Sequence, residues 1–484
     1  MKTFAQRKPS VYIKTFGCQM NEYDSKIMAG ILTGDGYGLI DDASRADVVL
    51  LNTCSVREHA ENKVWSELGR LSKIRESKPL TIGVCGCMAQ KEGAKIIRRF
   101  PSVSLVCGTH SFHRIGELLN EAKATKGIVD IGESDKLPFT PLESPTPGGG
   151  DEYKLPSLFQ ERVGFKAPSF LTGFTNLPII KDGKISTSLA VMRGCSKFCS
   201  YCVVPYLRGK EKSRGLEEIV DEIVHLTEQG FVEFLLLGQD ITSYKSRLKT
   251  TNGWKNIDLA DLLEEINGID GVKRIRFITS HPSGVTPRLL KAVSDLPKVC
   301  EHLHLPLQSG SNRILALMNR GYTRDFYLNL ISKARETIPG LSITTDLIVG
   351  FPGESEKEFE DTLDIVRKVE FDNAFMYKYS IRPGTEAAKM KNEVPENVKK
   401  DRLKRLQEVQ GEISVRRNEN LIGRRVEVLA GETKKKAPFK LLGRTRTNKV
   451  VVFEGEKGII GDLVSVTITG ACQWALEGKA ESRE

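Results

Sequence analysis

Three cysteines crowd into one short run, Met192-Arg193-Gly194-Cys195-Ser196-Lys197-Phe198-Cys199-Ser200-Tyr201-Cys202. Thiolates at this spacing suit an iron–sulfur cube: a short loop wraps one face and ligates three of the four irons. The fourth iron is left open. An open iron binds the amino and carboxylate groups of S-adenosylmethionine and passes an electron into its sulfonium bond, giving a 5′-deoxyadenosyl radical. The alternative is structural zinc, which takes four closed ligands. The next Cys or His in sequence is His225, inside a helical pattern, so the spacing favours a cluster.

A second set is dispersed. Cys18, Cys54 and Cys87 each follow a strand-like run (Val11–Phe16, Val48–Leu51, Thr81–Val84). Cysteines at the same end of neighbouring parallel strands converge where an open α/β sheet gathers its ligands. Cys85 and Cys107 also lie near strand ends, and free cysteine is commonly a small buried hydrophobe. Position alone leaves open which three are ligands.

These residues need a scaffold, and the apolar pattern supplies one. From Val11 to about Ala122, strand-like runs, with a fourth at Val103–Val106, alternate with helical stretches at Ser25–Leu32, Val56–Arg75 and Lys91–Phe100. This is the pattern of a parallel α/β layer. Residues 126–185 interrupt it with Pro138, Pro141, Pro145, Pro147 and Gly148-Gly149-Gly150, the composition of a linker. Six further strand candidates follow, Ser188–Met192, Phe231–Leu237, Lys273–Ile278, His302–Leu307, Ser342–Val349 and Phe375–Tyr379, separated by helices such as Leu216–Gln229 and Asp325–Ile338. Six βα units predict a partial barrel. A basic helix near Asn397–Arg417 leads to short strands, Val426–Leu429, Val450–Phe453 and Leu463–Ile468, that predict a small β-barrel.

The strand-end loops of the barrel read Gly238-Gln239-Asp240, Ser280-His281-Pro282, Gln308-Ser309-Gly310-Ser311, Gly350-Phe351-Pro352-Gly353-Glu354 and Arg382-Pro383-Gly384. Polar and glycine-rich residues at successive strand ends form a cofactor rim. With the aromatic Tyr201 of the cysteine loop, Gln239, Asp240, Gln308 and Ser309 are the candidate cofactor contacts; His281 reads as structural.

In 484 residues, of which 39% are hydrophobic and 28% charged, no run approaches a membrane span. The N-terminus lacks a signal-peptide pattern, so the ten cysteines are expected in a reducing cytoplasm and in metal chemistry rather than in disulfides. Half of the net charge of +10 falls within residues 415–484, and Lys434, Lys435, Lys436, Lys440, Arg444, Arg446 and Lys449 follow one another without an acidic residue. Such a stripe on a small β-barrel suits nucleic-acid phosphates. Trp474 is a candidate base-stacking residue, although a Trp so placed is more often barrel core. P-loop, His-Glu-x-x-His and Gly-x-Ser-x-Gly motifs are missing, which argues against a P-loop ATPase, a zincin and an α/β-hydrolase.

The triplet with Tyr201 resembles the signature of the radical S-adenosylmethionine enzymes. Thr15-Phe16-Gly17-Cys18-Gln19-Met20-Asn21, Leu51-Asn52-Thr53-Cys54-Ser55-Val56-Arg57 and Gly86-Cys87-Met88-Ala89-Gln90 resemble the N-terminal motifs of the methylthiotransferases. Cys202-Val203-Val204-Pro205-Tyr206, Arg208-Gly209 and His304-Leu305-Pro306-Leu307-Gln308-Ser309-Gly310-Ser311 extend the likeness, and the stretch Gly443–Phe453 resembles a TRAM module. The resemblance implies a mixed α/β chain in four parts: an N-terminal parallel α/β domain at 9–125, a linker at 126–185, a radical S-adenosylmethionine partial (β/α)6 barrel at 186–412 and a TRAM β-barrel at 415–480. It implies two 4Fe-4S clusters, one on Cys195, Cys199 and Cys202 and an auxiliary one on Cys18, Cys54 and Cys87, with Cys85, Cys107, Cys300 and Cys472 as bystanders.

The reaction it implies is methylthiolation of tRNA at C2 of N6-isopentenyladenosine next to the anticodon, with two S-adenosylmethionine molecules per turnover, an electron donor and a sulfur or iron–sulfur donor. No side chain is assigned as catalytic. A cytoplasmic monomer with no membrane partner is expected. The Asn52-Thr53-Cys54-Ser55-Val56-Arg57 and Asn319-Arg320-Gly321-Tyr322-Thr323 runs favour the isopentenyl branch over threonylcarbamoyl-adenosine in tRNA or an aspartate of a small-subunit ribosomal protein. The non-catalytic alternative is a zinc-containing RNA-binding protein. Two departures from the family pattern stand out: residues 139–183 lengthen the linker, and Asp240 stands where Asn is expected.

Overall fold

The structure is a computed structural model that describes residues 7–55, 58–125, 127–132, 185–251, 253–434 and 437–481. The N-terminal domain is built on one parallel sheet of β1 (Ser10–Thr15), β2 (Gly38–Leu39), β3 (Val48–Thr53), β4 (Thr81–Gly86), β5 (Val103–Cys107) and β6 (Ile128–Asp130), in the order β2-β1-β3-β4-β5-β6. The run Val-Val-Leu-Leu-Asn-Thr of β3 is buried throughout, as a strand covered on both faces must be. Register matters for the cysteines: Thr15 lies opposite Asn52, and Thr53 opposite Gly86. Three neighbouring strands therefore end level, and Cys54 and Cys87 leave the sheet side by side. The helix expected at Lys91–Phe100 is instead two, Cys87–Glu92 and Ala94–Arg99, broken at Gly93 with φ 49°. Of the linker expected at 126–185, residues 133–184 fall outside the described residues; β6, at Ile128–Asp130, lies within that span yet pairs with β5, so the sheet runs past 125, and β2 and β6 raise its strands from the expected four to six.

The second domain holds β7 (Ser186–Ala190), β8 (Met192–Arg193), β9 (Lys212–Ser213), β10 (Glu233–Leu237), an outer hairpin of β11 (Lys245–Thr250) and β12 (Gly253–Asp258), β13 (Arg274–Phe277), β14 (His302–His304), β15 (Ser342–Val349) and β16 (Asn373–Lys378). Six of these form the arc of the barrel as two parallel three-stranded sheets, β13-β10-β7 and β14-β15-β16, which meet at an isolated bridge between Ile275 and Val299. The helices lie outside and bury one continuous apolar core with the strands, Phe234, Leu262, Leu303, Ile343 and Phe359 among its members.

β17 (Arg425–Lys434), β18 (Ala437–Thr445), β19 (Val450–Glu454), β20 (Leu463–Ala471) and β21 (Leu476–Ala480) close a five-stranded barrel around Val428, Leu441, Phe453 and Ile468. Two of its strands, β18 and β21, were not expected from the sequence.

Polar seams join the three domains. The helix Gln19–Gly34 packs Met20, Tyr23 and Ile27 against Ala190 and Leu237. Behind them the fully buried Asp24 pairs with Arg193 and, at 3.0 Å, with Arg208. Removing one partner from such a buried set costs about 3–5 kcal/mol, because the others keep uncompensated charge. At the other seam, Arg276 donates to the carbonyls of Thr445 at 2.7 Å and Arg446 at 2.8 Å.

Candidate functional site

At the sheet end of the N-terminal domain, Gly17 with φ 130° lets the chain turn so tightly that a Cβ there would stand 2.4 Å from Cys54 Cβ. Only glycine permits that approach, and it brings Cys18 beside Cys54. The Cys18 thiol is pulled down to about 6, chiefly by its hydrogen bond with Cys54 and further by the Arg208 guanidinium. Burial pushes the Cys87 thiol up, and Arg208 opposes it. Cys18 and Cys87 thus meet at one buried arginine, with Cys54 joined to Cys18, and the arginine is held by Asp24 and, at 3.2 Å, by Asn21 Oδ1. Asn21 also donates to Thr53 O at 2.7 Å, and Asn52 donates to Asn21 O at 2.8 Å, tying the two cysteine loops together. Cys85 and Cys107 face each other across β4 and β5 in the apolar layer with Leu50 and Leu105. Cys300 is buried and Cys472 is exposed; neither adjoins either trio.

The other trio sits in the loop after β8. Its entry demands Gly194, with φ 78°, because a Cβ there would meet Lys210 O at 2.1 Å. Gln239 Oε1 accepts from Gly194 N at 2.6 Å, and Asn319 Nδ2 donates to the carbonyls of Lys197 at 3.2 Å and Phe198 at 2.9 Å. Arg320 Nη1 donates to Cys199 Sγ at 3.2 Å, while Nη2 holds Pro306 O at 2.9 Å. Burial pushes the Cys195 thiol up to about 11 and the Cys202 thiol up to about 12. Bare, they stay protonated at neutral pH and release protons when metal binds.

Both donor sets fit the iron–sulfur chemistry expected of them: three thiols each, with a buried guanidinium alongside to offset thiolate charge. Among the described residues, no three His, Cys, Asp or Glu side chains are grouped as a ready single-ion site. Thiols that bind separate irons of a cube need not meet at one point.

A cavity of about 1400 Å³ joins the domains. Cys18 and Cys202 both line it, as do Tyr201, Gln308, Phe375 and Trp474. Its volume exceeds the roughly 300–1,000 Å³ of ordinary small-molecule pockets and suits more than one ligand. Of the five expected cofactor contacts, Tyr201 and Gln308 stand in this wall. Gln308 adopts φ 74°, and its Oε1 is buried without a hydrogen-bond partner among the described residues, an acceptor left for a ligand.

The other three expected contacts serve their own loops. Gln239 is spent on Gly194, and Ser309 Oγ accepts from Ser311 N at 3.3 Å. The buried Asp240 carboxylate takes the hydroxyls of Thr242 at 2.5 Å and Ser243 at 2.6 Å, the His281 amide at 3.2 Å and Lys197 Nζ at 3.5 Å. His281 bonds Ser283 Oγ at 2.7 Å and packs edge-on against Tyr322; burial and Arg320 push its pKa down to about 3, so it is neutral.

The basic stripe divides. Arg446 grips Glu301 at 2.7 Å and the carbonyls of Pro297 and Val299, and Lys449 reaches Asp372 at 2.8 Å and Asn418 at 2.9 Å. These two cations fasten the small barrel to the larger one, because carboxylates wait for them at the seam. Arg444 is exposed beside the cavity and bonds Asn448 O at 3.1 Å. Lys434 ends β17 and Lys440 lies on β18, whereas Lys435 and Lys436 fall outside the described residues. Trp474, expected in the core, is 64% exposed: it sits in the turn between β20 and β21 and has no inward face.

Sequence reasoning missed four residues, Asp24, Arg208, Asn319 and Arg320. The last three stood in motifs already noticed, but only the fold shows what they touch.

Comparison with known proteins agrees with this layout. The profile described as "Uncharacterized protein family UPF0004" matches residues 10–108, the radical SAM superfamily matches 189–366 and the TRAM domain matches 419–480. The chain is 45% identical to a tRNA-2-methylthio-N(6)-dimethylallyladenosine synthase of Moorella thermoacetica, over 96% of this chain and 97% of that one. It is 44% identical to the protein of the same name from Pelotomaculum thermopropionicum, over 95% of each. Among solved structures, the radical S-adenosylmethionine methyltransferase TsrM of Kitasatospora setae superposes with a TM-score of 0.54 at 14% identity, covering 78% of this chain and 75% of that one. That likeness is one of fold.

Proposed function

As a member of the tRNA-2-methylthio-N(6)-dimethylallyladenosine synthase family, this chain is a radical S-adenosylmethionine enzyme that transfers a sulfur-containing group to tRNA, and we propose that it replaces the C2 hydrogen of N6-isopentenyladenosine with a methylthio group using two 4Fe-4S clusters. One observation carries this reading: Cys18 of the first trio and Cys202 of the second stand in the wall of the same cavity. When bound, a cluster on Cys195, Cys199 and Cys202 supplies the electron that opens the sulfonium bond of S-adenosylmethionine, and one on Cys18, Cys54 and Cys87 supplies sulfur at its open iron.

The chain's own residues prepare the place. Arg208 and Arg320 set buried positive charge beside the thiols, which favours the deprotonated, ligating form. Gln239 and Asn319 fix the loop that carries Cys195 and Cys199. Tyr201 and the free acceptor of Gln308 orient what enters the cavity. A C–H bond on a purine is not acidic enough for an ordinary side-chain base, so a radical route is the physically reasonable one.

A division near 9–125, 186–412 and 415–480 is supported by the separate sheets of those spans, with β6 at Ile128–Asp130 extending the first and the helix Glu396–Glu419 crossing from the second to the third. The tRNA is met by the small barrel, with Trp474 and Arg444 at the cavity edge and Lys434, Lys435, Lys436 and Lys440 for phosphates. An electron donor and a sulfur donor complete the reaction. Among the described residues no helix is long and apolar enough to cross a membrane.

Two measurements test the proposal. Anaerobically reconstituted protein should hold about eight irons per chain, two cubes' worth; about four would overturn the two-cluster reading. Mass spectrometry of tRNA nucleosides from cells lacking the gene should show isopentenyladenosine without its methylthio group, and an unchanged nucleoside profile would overturn the substrate.

A further inference from the structure

The loop that carries Cys195, Cys199 and Cys202 begins at β8 and ends after the short helix Val204–Arg208. Its first arginine is Arg193, two residues before Cys195; its last is Arg208, which stands against Cys18 and Cys87 of the other trio. Both arginines are buried, and both pair with one carboxylate, Asp24, through separate oxygens: Arg193 on Oδ1, Arg208 on Oδ2. Asp24 belongs to neither cysteine loop. It lies on the helix Gln19–Gly34, which starts immediately after Cys18. A single side chain of the N-terminal domain therefore pins both ends of the barrel's cysteine loop, and the Arg208 end meets Cys18 and Cys87 of the sheet.

We propose that Asp24 is a positioning residue that sets the separation and orientation of the two metal centres, and so couples cleavage of S-adenosylmethionine to transfer of sulfur. The inference rests on the two-centre reading above. The geometry separates the two functions. The barrel side of the loop is held without Asp24, by Gln239 on Gly194, Asn319 on Lys197 and Phe198, Arg320 on Cys199, and the bond of Ser200 N to Met318 O at 3.0 Å. Losing Asp24 therefore leaves one centre assembled within the barrel while the other loses its fixed relation to it. Two neighbouring pairs at the seam, Tyr23 with Glu222 at 3.2 Å and Lys26 with Thr187 at 2.7 Å, also hold the helix against the barrel.

The test is Asp24→Asn, with the charge-retaining Asp24→Glu beside it. In metal-free protein, hydrogen exchange of the backbone amides of residues 193–208 should quicken in the Asn variant. In reconstituted protein with full iron, reduced with dithionite so that each cube takes one electron and becomes paramagnetic, the distribution of dipolar couplings between the two centres should broaden. The ratio of methylthio product to 5′-deoxyadenosine should fall at least about tenfold while cleavage itself stays within about threefold, a change in the coordination of steps rather than in chemistry. The Glu variant should load both centres and give an intermediate ratio. Unchanged coupling and an unchanged ratio in the Asn variant overturn the proposal; if that variant does not fold, the same null result in the Glu variant overturns it. The outcomes also separate the layers of the argument: four irons in the wild-type chain would remove the two-centre reading itself, whereas eight irons with wild-type coupling in the variants would remove only the role of Asp24.

Discussion

Cys18 and Cys195 differ in the company their thiols keep. Cys18 shares a hydrogen bond with Cys54 and feels Arg208, so its thiol is drawn down to about 6; Cys195 is pushed up to about 11 by burial. Their loops belong to different domains and are held by different side chains, Asn21 and Asn52 on one side, Gln239 and Asn319 on the other. On the proposed two-cluster reading, replacing either residue should therefore disable one centre and spare the other. Cys195→Ala should abolish formation of 5′-deoxyadenosine. Cys18→Ala should retain cleavage of S-adenosylmethionine, within about tenfold, and make no methylthio product. Chromatography of 5′-deoxyadenosine alongside nucleoside analysis of the same reactions reads both. Equal loss of cleavage in two folded variants would contradict the division of labour.

At the scale of elements, the loop that presents Gln308 depends on a neighbouring helix. Glu358 closes the capping box of the helix Glu356–Val369 with Ser355 and also accepts from Ser311 at 3.1 Å and from Arg313 at 2.7 Å. Arg313 first, and then the Ser355 and Ser311 donors, hold its carboxyl down at about 2. A carboxyl depressed in the folded state adds stability above its unfolded value of about 4.5 and loses it as pH falls toward 2. Glu358→Gln should thus cost about 1–2 kcal/mol at neutral pH, after allowance for solvent screening, and flatten the acid limb of the stability curve between about pH 4.5 and 2. Urea titrations at a series of pH values measure this; parallel acid limbs for variant and wild type would refute it.

The same scale shows what the sequence makes legible. Continuous apolar runs such as Val48–Leu51 announce buried parallel strands, and the cysteines that follow them inherit a common sheet end. Pairings across long separations leave no such trace. Nothing local marks Asp24 for Arg208, 184 residues away, or Arg446 for Glu301. The hairpin β11–β12 was missed because its exposed face is Lys245, Arg247 and Lys249 rather than an apolar stripe. The basic stripe reads as one feature in sequence, yet the fold uses some of its charges to join domains.

Across the whole molecule, the three domains meet around one cavity, and the small barrel contributes an exposed indole to its edge. A nucleobase can cover such an indole: stacking of a base on an aromatic ring contributes about 1–3 kcal/mol. Trp474 stands in that wall with Arg444 and Lys449, but Lys449 is committed to Asp372. On the proposed reading the indole would stack and Arg444 would attract phosphate. Trp474→Ala should weaken tRNA binding by about five- to a hundredfold while leaving the slope of log affinity against log salt unchanged, because no charge is removed. Arg444→Ala should weaken binding less at high salt than at low salt and lower that slope by about one ion. Anisotropy titrations of a labelled anticodon stem-loop at several salt concentrations distinguish the two signatures. Trp474→Phe, which keeps a ring, should recover most of the affinity lost in the alanine variant. If the alanine variant binds as tightly as wild type, the indole does not meet the RNA, and the small barrel engages tRNA through its basic face alone.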